Sequence, residues 1–283
     1  MFNLFNQLEP TAWLILSLIL GISVGSFLNV VIYRIPIMME NQWAEELNLA
    51  QNQTPQVQEP FNLLRPRSHC RACQKKLALL DLIPLVSFAL NRGRCGYCQT
   101  QMSWQYPLIE ALTGIVFVTL ATLFPPSMLT LAWMGFCATL IALAVIDFNT
   151  FLLPDQLTLP LLWAGLLFHL LFGELPLEQA VLGAASGYLI LWFVFQLFKL
   201  LTQKEGMGYG DFKLLAAIGA WLGINNVLSV LFIAAFIGLA FGLTHQYLKK
   251  ATVHAPFPFG PSLVIAAFVH VFGFNSFSLL LTP

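Results

Sequence analysis

Eight times along its length this chain returns to an apolar run close to the length needed to cross a lipid bilayer. The runs are 12–33, 107–124, 127–147, 157–173, 179–200, 212–223, 227–247 and 259–281. A helix needs roughly 20 consecutive apolar residues to span the hydrocarbon core. In lipid the backbone must satisfy its own hydrogen bonds, so such runs fold as helices. The composition agrees: 58% of residues are hydrophobic and 9% are charged, against about one quarter charged in a soluble domain. The expected fold is an all-α polytopic membrane protein of about eight spans. The 212–223 run is short, about 18 Å of helix. Either its N-terminal end lies below the lipid–water boundary or neighbouring helices cover it.

Charge sets the orientation. The net charge is zero, yet all 13 Lys and Arg residues fall on one face if eight spans are threaded with the N-terminus outside. The positive-inside rule makes that face cytoplasmic. The outer connections then carry only Glu9, Glu174 and Glu178. No Lys or Arg precedes the first run and no small-residue cleavage site follows it, so 12–33 reads as a retained span. Three regions result: a first span within 1–33, a cytoplasmic domain at 34–106, and a seven-helix membrane domain at 107–283. Within the cytoplasmic domain, 40–59 is rich in Gln, Asn and Glu without apolar period and reads as a solvated loop or a partly disordered insert. Small residues four apart, such as Gly21/Gly25 and Gly183/Gly187, would let helix backbones approach closely.

Two features carry chemistry. The first is Cys70-x2-Cys73, 21 residues, then Cys95-x2-Cys98, close to the spacing of a four-thiolate zinc site. Two disulfides are the competing reading, and a cytoplasmic location favours zinc. Four cysteines fill a tetrahedron, so the metal would be structural, although His69 adjoins the set. The second is a pair of acids. Asp147 ends one apolar run, and Asp211 follows the turn Gly208-Tyr209-Gly210 and opens another. A charge at or inside the hydrocarbon boundary is costly and marks a functional site by default. Two adjacent carboxylates do not readily ionise together, so one holds a proton near neutral pH. That combination suits activation of water against a peptide bond. Gly208 and Gly210 would leave room at Asp211 for an extended substrate. Asp155, after Leu153-Pro154, reads as a helix cap. The Pro256–Pro261 cluster reads as a helix entry, or as a wall of the cleft.

Several motifs together resemble the type IV prepilin peptidase family: GSFLNVVIYRIP at 25–36, the two CxxC pairs, RGRCGYC at 92–98, YPLIEALTG at 106–114, IDFNTFLLPDQLTLPLLW at 146–163, GMGYGDFKLLAAIGAW at 206–221 and PFPFGP at 256–261. The resemblance implies a bifunctional enzyme of the bacterial inner membrane, a GxGD aspartic endopeptidase and N-methyltransferase. It would cut the basic leader of a type IV prepilin or a type II secretion pseudopilin after Gly. It would then methylate the new N-terminal residue, usually Phe, with S-adenosyl-L-methionine. The resemblance assigns catalysis to Asp147 and Asp211 and methyl transfer to the cytoplasmic domain, with Gly93 and Arg94 at matching positions. Those two residues have an equally good plain reading, shaping the turn into the second cysteine pair. The expected partners are pilin-type substrates and the lipid bilayer, not nucleic acid.

Two other classes compete. A proton-coupled transporter would use the aspartates as relays, but it predicts acids at mid-span, whereas Glu110 also lies near a cytoplasmic helix end. An assembly scaffold docking through the zinc domain leaves the GxGD turn without a reason.

Overall fold

A computed structural model describes residues 9–51, 61–78, 80–204, 206–249 and 258–281, without the side chains of 80, 245–249 and 274–281. The described chain is helical. In order it contains α1 (Pro10–Ala50), a 3₁₀ turn (Leu80–Leu82), α2 (Val86–Leu90), α3 (Gln105–Leu123), α4 (Met128–Thr150), α5 (Asp155–Phe172), α6 (Leu177–Thr202), α7 (Tyr209–Leu222), α8 (Ile224–Lys249) and α9 (Gly260–Leu281). Among the described residues the only β-type pairing is two isolated bridges, His69 with Lys76 and Arg94 with Gln101.

Among the described residues, six helices are long and apolar enough to cross a membrane: α1, α3, α4, α5, α6 and α8. The chain is therefore multi-pass. The other two expected spans differ. α9 contributes a shorter apolar stretch, Gly260–Gly273. α7 has 14 residues, about 21 Å of helix, and from Leu214 to Leu222 every residue is buried. Of the two readings of the short 212–223 run, the structure bears out the covered helix.

Two compact units divide the chain, Met1–Ala138 and Thr139–Pro283. In the first, α1 lies against α3 at backbone contact distance. A Cβ on Gly21 would stand 2.8 Å from Gly114 Cα, and one on Gly25 would stand 2.7 Å from Glu110 Cα. The expectation of a solvated loop after the first span is corrected here. α1 runs unbroken through Ala50, with most of 40–50 exposed, and only 52–60 lies outside the described residues. No Gly or Pro falls between Ile37 and Gln51, so nothing in that stretch stops the helix.

In the second unit α7 is the central element. Gly183 of α6 meets Gly219 of α7 backbone to backbone, closer than any Cβ would allow. On the α5 side, Trp221 stacks on Phe168 with ring centroids 5.0 Å apart. Trp221 Nε1 donates to Leu161 O at 2.8 Å, and His169 Nε2 lies 3.0 Å from Trp221 O. These bonds satisfy polar groups that lipid could not.

Candidate active site and thiolate centre

Asp147 lies on the last turn of α4 and Asp211 on the first turn of α7. The side chains are 5% and 8% exposed, and each lies within electrostatic reach of the other. The fold thus brings together two acids that are 64 positions apart in the sequence. Asp147 is oriented by a third element. The backbone N–H of Gly260, at the start of α9, donates to Asp147 Oδ2 at 2.9 Å. A Cβ at position 260 would sit 2.6 Å from that oxygen, so glycine alone permits the approach. Of the 256–261 cluster, 256 and 257 lie outside the described residues; in the remainder Gly260 opens α9 and lies against the acid. Asp211 Oδ1 is buried with no partner among the described residues.

The two glycines of the turn behave differently. Around Gly208 an added Cβ would meet only Asp211 Oδ2, at 3.9 Å, and Gly210 N, at 4.0 Å, the open space that a substrate channel would need. Gly210 instead packs on Leu153, whose Cβ would be 2.7 Å from an added Cβ. Its smallness admits Leu153, from the connection between α4 and α5, and the expectation that it clears space for a substrate is corrected. Asp155 is corrected as well. Pro154 occupies the N-cap position and Asp155 the first turn of α5. Its carboxylate takes two bonds from Lys213 Nζ, at 2.7 and 2.8 Å.

The four expected cysteines converge. Cys70, Cys73, Cys95 and Cys98 have sulfurs within 4.8 Å of one another, and all are free thiols. The 3.8 Å between Cys70 Sγ and Cys98 Sγ equals about what two thiolates at 2.3 Å from one tetrahedral metal would show. The two pairs fold as matching turns. Cys70 N donates to Lys75 O and Gln74 N to Cys70 O; Cys95 N donates to Thr100 O and Gln99 N to Cys95 O. Gln74 and Gln99 hold equivalent left-handed positions, φ 59° and 58°. Hydrogen bonds and neighbouring sulfurs shift the thiols in opposite directions. The hydroxyl of Thr100, then its backbone N–H, lowers the Cys98 thiol to about 6. The backbone N–H groups of Cys73 and Ala72 lower Cys70. Cys73 also accepts from the backbone of Lys75, but desolvation and the neighbouring sulfurs outweigh that bond and raise it to about 11. His69 turns away, with Nδ1 2.9 Å from Arg67 O.

Next to the thiolates is a cavity of about 450 Å³ bounded by α1, α3 and the cysteine turns. Tyr33, Arg71, Arg94 and Tyr106 line it, with Asn29 and Glu110. The Arg71 guanidinium carbon lies 3.7 Å from the Tyr33 ring centroid. Arg94 thus faces a cavity. Gly93 holds a left-handed turn, φ 70°, with Phe88 Cζ 3.0 Å from where a Cβ would be. In the sequence Glu110 had no role beyond its place near a helix end, and Asn29 was not singled out. An acid inside an apolar run was the available signal for Glu110; Asn29 had none. Arg34, also inside the fold, donates to Asn62 O at 2.7 Å and Pro66 O at 2.6 Å, which ties the segment before Cys70 to α1.

Two family models match the chain: the bacterial peptidase A24 N-terminal domain over residues 19–124 and the type IV leader peptidase family over residues 134–243. Three relatives are each named prepilin leader peptidase/N-methyltransferase. One, from Aeromonas salmonicida (strain A449), is 48% identical over 91% of this chain and 90% of its own length. One from Neisseria gonorrhoeae is 46% identical over 90% and 88%. One from Pectobacterium carotovorum subsp. carotovorum is 44% identical over 97% and 98%. No solved structure matches the chain. The transporter reading draws no support from these relatives. With identity of this level over nine-tenths of its length, the chain belongs to the type IV leader peptidase family.

Proposed function

We propose that the protein is a bifunctional inner-membrane enzyme that removes the leader from type IV prepilins or type II secretion pseudopilins and methylates the amine so exposed. The observation that carries the peptidase reading is the pair of buried carboxylates, Asp147 and Asp211, at the ends of α4 and α7. The two acids share one proton. The ionised one draws a proton from water, and that water attacks the carbonyl of the Gly–Phe bond. The protonated one polarises the same carbonyl and then delivers its proton to the leaving amine. Gly260 N–H fixes Asp147, while the unpartnered Oδ1 of Asp211 is the atom ready to hold water or substrate. The N-terminus is periplasmic and 34–106 cytoplasmic, because all the basic residues then share one side. The three regions are 1–33, 34–106 and 107–283, and the cut falls at membrane-surface depth.

The four cysteines hold structural zinc, since a closed thiolate set leaves no open coordination position. S-adenosyl-L-methionine supplies an electrophilic methyl group. The cavity beside the thiolates fits it in size, as ligand pockets run about 300–1,000 Å³. There the Arg94 guanidinium binds the donor's carboxylate, and Gly93 keeps Arg94 in register. Incubation of the purified protein with a prepilin and S-adenosyl-L-methionine, read by mass spectrometry, should give a cut and methylated product. Asp147→Asn and Asp211→Asn should each accumulate in the membrane and cut nothing. Cleavage near the wild-type rate by either variant would end the aspartic mechanism.

A further inference from the structure

Two hydrogen-bond acceptors in the first unit are buried with capacity to spare. Asn29 of α1 is 6% exposed. Its Nδ2 donates to two carbonyls, Gly25 O at 3.3 Å and Tyr106 O at 3.1 Å. Both partners accept only, so the amide orientation is fixed. Its Oδ1 is left buried with no donor among the described residues. Glu110 of α3 is 8% exposed. Its Oε2 accepts from Leu85 N at 2.8 Å, and the Ser26 hydroxyl bonds it as well. A carboxylate has about four lone-pair sites, so two remain. Gly25 lies against Glu110 Cα, which sets Asn29, one turn on, beside the start of α3. Both side chains line the 450 Å³ cavity.

A buried acceptor without a donor is destabilising. The nearby cations do not relieve it. Arg34 is committed to two carbonyls, and Arg71 lies over the Tyr33 ring. What fits is a small group with several donors and a positive charge. We propose that Asn29 Oδ1 and the Glu110 carboxylate receive a primary ammonium, the new N-terminus of the cut substrate, and that Glu110 takes its proton. This rests on the reading that the first unit hosts methyl transfer. The ammonium gives one proton to Glu110 and becomes a neutral amine. The amine nitrogen then bonds to the donor's methyl carbon as that carbon's bond to sulfur breaks, the electron pair staying on sulfur in a neutral thioether. The product is a secondary ammonium, and Glu110 releases its proton to solvent.

The test uses the full chain in nanodiscs, wild type and Glu110→Gln. Gln still accepts from Leu85 N but offers an NH2 where the carboxylate offered an acceptor. Binding is measured for a short apolar peptide that begins with Phe, with a free or an acetylated amine, and for labelled S-adenosyl-L-methionine. Prepilin cleavage and methylation are followed in parallel. We expect Glu110→Gln to cut prepilin and bind the methyl donor as wild type does. It should bind the free-amine peptide at least tenfold more weakly, show no change for the acetylated peptide, and methylate at least a hundredfold more slowly. Equal weakening for both peptides, or methylation within threefold of wild type, overturns the proposal. Loss of donor binding with peptide binding intact would show that the ammonium is the donor's own, and would overturn the assignment to substrate. If the wild-type protein transfers no methyl group, the underlying reading falls first. Should Glu110→Gln fail to accumulate, Asn29→Ser carries the same comparison: a loss confined to the free-amine peptide supports the proposal, and unchanged binding overturns it.

Discussion

Replacing Gly260 by alanine should damage peptide cleavage more than any other single-methyl change in the second unit. The new Cβ would lie 2.6 Å from Asp147 Oδ2 and 3.1 Å from its Cγ. Ordinary contact begins at 3.4 Å, a shortfall of 0.8 Å at the oxygen. Asp147 is on a buried helix end, so the carboxylate must rotate or α9 must retreat. Either movement breaks the 2.9 Å bond from Gly260 N–H. A hydrogen bond to a charged group contributes about 1.5–3 kcal/mol, and a catalytic group displaced by about 1 Å can cost 10²-fold in rate. Both routes lead to a fall of about a hundredfold in kcat/KM, or about 2.7 kcal/mol. The assay is single-turnover cleavage of a purified prepilin. Methylation of a peptide that is already cut serves as the internal control and should hold. Cleavage by Gly260→Ala within threefold of wild type would refute the view that this approach positions Asp147.

Three further outcomes are expected. Asp155→Asn should keep most of the cleavage activity and cost at most about 1 kcal/mol, since its pair with Lys213 is exposed and such pairs contribute about 0–1 kcal/mol; a full loss of cleavage would give Asp155 a catalytic part. Metal analysis should find one zinc per chain, and a strong chelator should expose 66–100 to protease; disulfides in place of free thiols would overturn the cytoplasmic assignment of this domain. Gly183→Leu should lower thermal stability by at least the 1–3 kcal/mol typical of overpacking, because its Cβ would overlap the backbone of Gly219; an unchanged melting temperature would refute the close α6–α7 contact.

Legibility followed the range of the forces involved. The cysteine turns were readable because each ligand pair is local and its spacing is chemistry. The two acids were readable because charge is rare in apolar runs. What Asp147 touches was not readable, since Gly260 lies 113 positions away and a backbone N–H leaves no mark in a sequence. The partner of Asp155 was hidden for the same reason: Lys213 is 58 positions on. The 40–50 stretch was misread because a helix exposed on most sides needs no apolar period. The function of Gly210 was misread because a glycine that admits a substrate and one that admits Leu153 look alike in one dimension.

The continuity of α1 makes it a pointer. Its 41 residues amount to about 60 Å of helix, with about two-fifths beyond the apolar run. A continuous helix converts an angle into a distance. If the membrane-embedded part tilts by about 10°, Ala50 sweeps about 5 Å from a pivot near Val30. A spin label or fluorophore at the exposed tip would therefore magnify rocking of the very helix that carries Asn29 and Arg34, without a probe being placed inside the bilayer.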